Sequence, residues 1–502
     1  MVKLPAYIYV ETQGGYRMQI KCDKKVNFTP NQFYESKELY LDGAEKILSV
    51  QAFARTTSIE SLNGEVRVGY LLTIRALYLN QDGMVEKREK SYDLTSSLRA
   101  NVNANSFALV NTTVIGVEYH GSQNLKVRVM VEQKGCYIQN CNFEPIENPS
   151  LCYKKKSTNI KSICPLRNTE FVVDKNEKCN FNVGQMLCAD TILSIKNVSI
   201  ATDICEIEGI ATIYFSHINE GELKGQSLSF PFSYELLSEG IKAGDVASIT
   251  LLPISTTLNV TELDSGVELD VQILVEAKGY FEQKSEVEYA IDAYSKEYEL
   301  ALTNGEVVME DDGCNVASKE RFSATLPIDE ITDAVEIISI GVPWVGASNV
   351  SAKPTITIDG VICSEIILKR ESGEYARVLA EIPYSFDLKE DSTCSSDIDA
   401  RLDIIELSAR IRFGATLEIA GEVSVTVSGS SEKVVYYLEK AESIGERIKN
   451  DAVISVYLVG EGETLFDCAK ALQSDEEELL ALNPELDLPL KEGDKVLLYR
   501  PL

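Results

Sequence analysis

The stretch LDVQILVEAKG, Leu269 to Gly279, decides the fold. Together with the residues just before it, it puts Val267, Leu269, Val271, Ile273 and Val275 on one side, and Glu268, Asp270, Gln272 and Leu274 on the other. A period of two is that of a strand with one face buried and the other mostly wet. LKVRVMVEQKG at 125–135 repeats the pattern with Leu125, Val127, Val129 and Val131, and closes on the same Glu-x-Lys-Gly. LEIAGEVSVTVSG at 417–429 is a looser third version.

Two more landmarks precede this one each time. EKILSVQAF (45–53), DTILSIKNV (190–198) and VEIISIGVP (335–343) place Ile47, Ile192 and Ile337 at intervals of 145 residues. SYDL (91–94), SYEL (233–236) and SFDL (385–388) follow, and the distance from their Ser to the closing Gly is 44, 46 and 44 residues. Three landmarks in fixed order, three times over, are an internal repeat. Between them lie further alternating runs, GEVRVGYLLTIRALYL (64–79) and EGIATIYFSHI (208–218), broken by the turn signals NQDG (80–83) and NEGE (219–222).

Several short strands in each copy predict a β-sandwich or partly closed barrel. The period is too long for a solenoid, so the copies are expected to be whole domains in tandem. Their expected bounds are 1–135, 171–302 and 319–432. The stretches 136–170 (Cys-rich), 303–318 and 433–451 are expected to be linkers or insertions, the last part strand and part short helix.

The chain of 502 residues is long enough for three or four cores. With 78 acidic against 48 basic residues its net charge is −30, which disfavours nucleic acid and anionic membrane as partners. The start, MVKLPAYIYVETQGG, has no basic region followed by an apolar one and a cleavage site, and no run is apolar enough to span a bilayer. Retention in the cytosol without membrane insertion is the expectation. Seven of the 12 cysteines fall between Cys136 and Cys205 at irregular gaps without a C-x-x-C pair, a poor zinc pattern. They read as buried free thiols, with late cross-linking in an oxidising assembly or a disulfide-tied loop as alternatives.

The last fifty residues change character. ISVYLV (454–459) alternates as a strand; Thr464 is placed to cap a helix LFDCAKALQ whose Leu465, Cys468, Ala469 and Leu472 share a face. Ser474, with Glu477 three positions on, is placed to cap a second helix that buries Leu479, Leu480 and Leu482 and stops at Asn483-Pro484; DKVLLY (494–499) closes as a strand. The expected fold class is therefore mainly β: three tandem sandwich- or barrel-like repeats followed by a small α+β module of order β-α-α-β at 452–502.

The pieces GETL (462–465), EELLALNP (477–484) and KEGDKVLLY (491–499) resemble the LysM domain, with Glu492-Gly493 where the family usually has Pro-Gly. That resemblance implies a shallow groove for N-acetylglucosamine-containing glycan between Gly462, Glu463, Thr464 and Leu465 on one side and Asn483, Pro484 and Leu486 on the other. The combination of β repeats, including SFPFSYEL, EIPYSFDL and the V-x-[IV]-x-V-E-x-K-G closing run, with one terminal LysM resembles the clostridial spore-coat morphogenetic proteins that carry SPOCS domains and a C-terminal LysM. It implies a non-enzymatic scaffold made in the mother cell that settles on the forespore surface. There it would anchor the coat through the coat-basement ATPase or other coat proteins, with self-association open. The alternative is a cell-wall protein that binds peptidoglycan directly. Eleven acidic and four basic residues from Ile454 to Leu502 favour a basic protein face over anionic wall polymer.

No catalytic site, cofactor or metal is expected. The two histidines, His120 and His217, sit in strand or hairpin contexts outside any H-E-x-x-H pattern, and no phosphate-binding glycine loop is present. Trp344, the one tryptophan, is expected in the third core.

Overall fold

The computed structural model describes residues 7–12, 15–263, 266–311, 313–327, 333–351, 355–388, 397–412, 416–448 and 452–500. The first copy contains β1 (Tyr7–Thr12), β2 (Gly15–Asn27), β3 (Asn31–Tyr40), β4 (Ala44–Leu62), β5 (Glu65–Asn80), β6 (Val85–Arg99), β7 (Ala108–His120) and β8 (Asn124–Phe143). The second contains β9 (Cys152–Cys179), β10 (Gln185–Ala201), β11 (Ile204–Asn219), β12 (Glu222–Leu237), β13 (Val246–Leu263) and β14 (Gly266–Tyr294). The third contains β15 (Tyr298–Asp311), β16 (Asn315–Pro327), β17 (Ala334–Ile340), β18 (Trp344–Ser351), β19 (Ile356–Arg370), β20 (Tyr375–Leu388), β21 (Asp397–Arg412) and β22 (Thr416–Glu446). The chain then runs through β23 (Ile454–Leu458), α1 (Leu465–Leu472), α2 (Glu476–Leu482) and β24 (Lys495–Tyr499). The protein is mainly β, and all its strand pairings are antiparallel among the described residues.

The period-two reading of the closing runs holds residue by residue. Val267, Leu269, Val271, Ile273 and Val275 are all buried, as are Leu125, Val127, Val129 and Val131 in the first copy and Leu417, Ile419, Val423, Val425 and Val427 in the third. In each copy this strand (β8, β14, β22) sits between two partners, β7 and β3, β13 and β9, or β21 and β16. Its apolar face packs on a second three-stranded ladder, β4-β5-β6 or β10-β11-β12, and in the third copy on a four-stranded one built on β19. The three largest apolar clusters follow the three copies one by one.

The stretches expected as linkers or insertions are built largely from strand. β8, β14 and β22 do not stop at the closing glycine. Beyond it they continue and pair with β2, with the first half of β9 and with β15. Residues 136–143, 152–170, 303–311, 315–318 and 433–446 are therefore strand, and the short helix expected within 433–451 is absent from its described part; 449–451 lie outside the described residues. The glycine that ended the sequence motif marks a close approach rather than an end. A Cβ on Gly279 would stand 2.0 Å from the Ser248 carbonyl oxygen, and one on Gly135 would stand 1.9 Å from that of Leu109.

The three continuing ribbons meet in one core of their own: Ile20, Cys22 and Phe143 from the first copy, Ile160, Val287 and Tyr289 from the second, Met309 and Val435 from the third. Glu310 ties all three together. Its carboxylate accepts from the Lys25 backbone N–H at 2.8 Å and from Lys161 Nζ at 2.9 Å. A second three-way cluster joins Leu48, Leu77 and Val85 to Leu187 and Leu223 and to Ile338 and Ile367. Each pair of copies is also linked by polar contacts: Arg75 with Asp190, Lys369 with Glu222, and Ser49 with Glu365. Between the copies lies a cavity of about 1660 Å³. Trp344, expected in the core, is half-buried in the wall of that cavity.

Candidate functional site

The tail folds in the expected order β-α-α-β. Thr464 caps α1: its backbone N–H (2.8 Å) and its hydroxyl (2.6 Å) both donate to Asp467 Oδ2. A first-turn carboxylate also suits the helix dipole. Leu465, Cys468, Ala469 and Leu472 are buried with Val459, Leu479, Val496 and Leu498. Two details differ from expectation. Asp475, not Ser474, is the N-cap residue of α2, because the Ser474 hydroxyl donates to Glu478 instead. Leu482 is exposed; Leu479 alone of the helix's leucines is fully buried, with Leu480 partly so.

The seven residues expected to form a groove are not equally free to do so. Gly462, Thr464 and Pro484 are exposed, and Leu465 and Leu486 belong to one apolar cluster. Glu463 is held inside its own turn, accepting from Tyr457 Oη at 2.9 Å and from the Gly460 N–H at 2.7 Å. Asn483 is 1% exposed and its amide is fully engaged. Nδ2 donates to the Leu479 and Leu497 carbonyls, each at 2.7 Å, and Oδ1 accepts from the Leu497 N–H at 2.8 Å. It ties the end of α2 to β24 and has no side-chain atom left for a sugar.

The docking of the tail was not visible in the sequence. One side of α1 lies on the end of the second copy's ribbon. The Phe466 ring meets Tyr294 edge-on at 5.2 Å between centroids, and Tyr294 Oη donates to the Ser474 carbonyl at 2.6 Å. Three ion pairs surround this contact: Lys154 with Asp467 (3.1 Å), Lys470 with Asp292 (2.7 Å) and Lys296 with Asp475 (2.6 Å). The third copy adds Arg447, which donates to the Lys470 carbonyl at 2.9 Å. Burial raises the Tyr294 hydroxyl pKa, so it remains a donor. The Lys296 bond lowers the Asp475 carboxyl; for Asp467, desolvation opposes the shift but the Thr464 bonds and Lys154 outweigh it. The only sequence signal was Phe466 itself, an aromatic beside the buried stripe with nothing inside its own helix to cover it.

Docking by α1 leaves the two-stranded sheet outward. Its outer side is apolar: Ile454 faces Tyr499 and Val456 faces Leu497 across the ladder, with Leu458 next in line, and all five are 41–64% exposed. Elsewhere on the tail Glu461, Glu476, Glu477, Glu485, Asp487 and Glu492 are exposed. The result is an apolar strip on an acidic module.

Of the two histidines, His120 is exposed at the end of β7, while His217, on β11 beside its turn to β12, is buried, with Nδ1 accepting from the Gly184 N–H at 3.2 Å. Desolvation lowers its pKa. No group of three metal-ligating side chains occurs among the described residues, and no helix among them is long and apolar enough to cross a membrane. Comparison of the chain with protein-family models, with curated proteins and with solved structures finds no match.

Proposed function

We propose that this chain is a non-enzymatic scaffold and adaptor of spore-coat assembly. In this reading three copies of a SPOCS-type β domain form the body and a LysM module is the holding end. The observation that carries it is the placement of the tail. Ion pairs and an aromatic contact fix α1 to the body, and the exposed apolar strip points away from it. Strips of this kind, ringed by polar residues, mark protein contacts. The acidic surround suits a basic partner such as a face of the coat-basement ATPase at the forespore surface.

The alternative reading, a wall protein holding N-acetylglucosamine glycan, is favoured by the exposure of Gly462, Thr464 and Pro484 beside Leu465. Val456→Glu combined with Leu497→Glu separates the two. Co-sedimentation of full-length protein with purified peptidoglycan and capture on purified basement ATPase are measured in parallel. Loss of ATPase capture with unchanged sedimentation supports the adaptor. Strong sedimentation that survives the change, with no ATPase capture by the parent protein, refutes it.

A further inference from the structure

The ribbon core contains a feature that neither a scaffold nor an anchor requires. Cys22 on β2 and Cys141 on β8 stand directly opposite each other in the ladder, one step along the same face from the buried pair Ile20 and Phe143. Side chains opposed across an antiparallel pair project to the same side. Cys22 is 3% exposed and Cys141 is half-buried; both are free thiols. Cys22 Sγ–H donates to the Cys141 carbonyl oxygen at 3.3 Å. Opposed residues in such a ladder have α-carbons about 4.5–5.5 Å apart, within the roughly 4.4–6.8 Å that a disulfide spans. The two sulfurs can therefore join by side-chain rotation, without moving either strand.

The pair is also chemically divided. The neighbouring Cys22 side chain lowers the Cys141 pKa to about 7, assisted by Lys24 and opposed by burial, Asp23 and Glu310. Cys141, with burial and Asp23, raises Cys22, against the pull of Lys433. The other free cysteines among the described residues, Cys136, Cys152, Cys164, Cys179, Cys188, Cys205, Cys363 and Cys468, are all shifted upward, with burial as the leading cause. A lowered pKa puts more of the thiol in the thiolate form that attacks, although it also lowers that thiolate's intrinsic nucleophilicity.

We propose that Cys22 and Cys141 are a reversible dithiol switch, oxidised by low-molecular-weight disulfides to a bridge that staples the first copy's ribbon inside the core shared by all three. The Cys141 thiolate attacks one sulfur of the small disulfide; the S–S bond breaks and the other half leaves as thiolate, giving a mixed disulfide on Cys141. Cys22, losing its proton to solvent as it reacts, then attacks Cys141 Sγ and expels the second half. Two protein thiols are oxidised and one small disulfide is reduced to two thiols. Cys141 is the attacking group because it is the more acidic and the less buried; Cys22 resolves because it lies against it.

The test uses full-length protein and oxidised glutathione at pH 7.5. Samples are acid-quenched, thiols are counted in denaturant, and non-reducing peptide maps are taken. The expected result is an early loss of two thiols per chain, a linked Cys22–Cys141 peptide, and recovery of both with dithiothreitol. Cys22→Ser should stop at a glutathione adduct on Cys141, and Cys141→Ser should lose the fast phase. The proposal is overturned if wild-type protein oxidises elsewhere first while these two stay reduced, or if Cys22→Ser collects no adduct on Cys141 while its map shows the same fold.

Discussion

Replacing Asn483 by Ala tests whether the tail is held together where the structure places the load. Three hydrogen bonds of 2.7–2.8 Å disappear, and the Leu479 carbonyl and both backbone groups of Leu497 lose a partner. Each bond contributes about 1 kcal/mol net, and a buried group left unpaired costs at least as much, so the loss is about 3 kcal/mol. A module of roughly fifty residues has only about 5 kcal/mol in total at about 0.1 kcal/mol per residue. The variant should therefore keep a folded body and carry a tail near its unfolding threshold. Hydrogen exchange on the full chain resolves the two: amides of α2 and β24 should exchange about a hundredfold faster, with β14 unchanged, since 3 kcal/mol is about two factors of ten. Asn483→Asp should be at least as damaging at neutral pH, because it turns both donors into acceptors facing carbonyls. If either variant keeps the tail's protection within a factor of two, the internal role of Asn483 is refuted and its amide is free for ligand after all.

Phe466→Ala should cost about 3–5 kcal/mol, spread over the tail core and its seat on Tyr294. Limited proteolysis should release the tail while the body stays intact; resistance equal to wild type would mean the docking does not depend on this ring. Acid should act on the same seam. The Asp467 and Asp475 carboxyls titrate below their ordinary value of 3.8 when folded. Their contribution is thus complete above that value and lost as pH falls through and below it. Tail protection should hold from pH 7 to about 5 and drop near pH 3, and a drop already complete at pH 5 would contradict the pairing. Gly279→Ala drives a methyl to 2.0 Å from the Ser248 carbonyl oxygen and should destabilise the second copy by about 3 kcal/mol or more, read as a lowered midpoint in urea. A neutral substitution would show that the strand crossing there has slack.

Much of the architecture could be read locally. Each closing run alternates because one face meets its own core, and the tail's helices carry their stripe and Thr464 cap within a few residues. Three things could not be read. The glycine after Glu-x-Lys looks like a strand end because glycine usually interrupts strands; here it permits a crossing and the strand goes on. The ribbons alternate poorly, as in EQKSEVEYAID at 282–292, because their faces meet partners hundreds of residues away and not a second sheet of the same copy. At the site, LNP at 482–484 locates a helix end but does not tell whether the Asn side chain points inward or outward, and only the proximity of Leu497 decides that. The same blindness to distance hid Lys154, Asp292 and Lys296 as partners of the tail, and Cys22 as the partner of Cys141.

The way the copies meet carries a consequence for ancestry. First touches second, second touches third, and third returns to first, with both shared clusters drawing on all of them. A chain of beads can gain or lose a bead; a closed triangle cannot. Once duplication had produced three members and their inner faces had adapted to one another, a fourth would have found no open flank and a deletion would have split both hubs. The number three is thus locked by geometry.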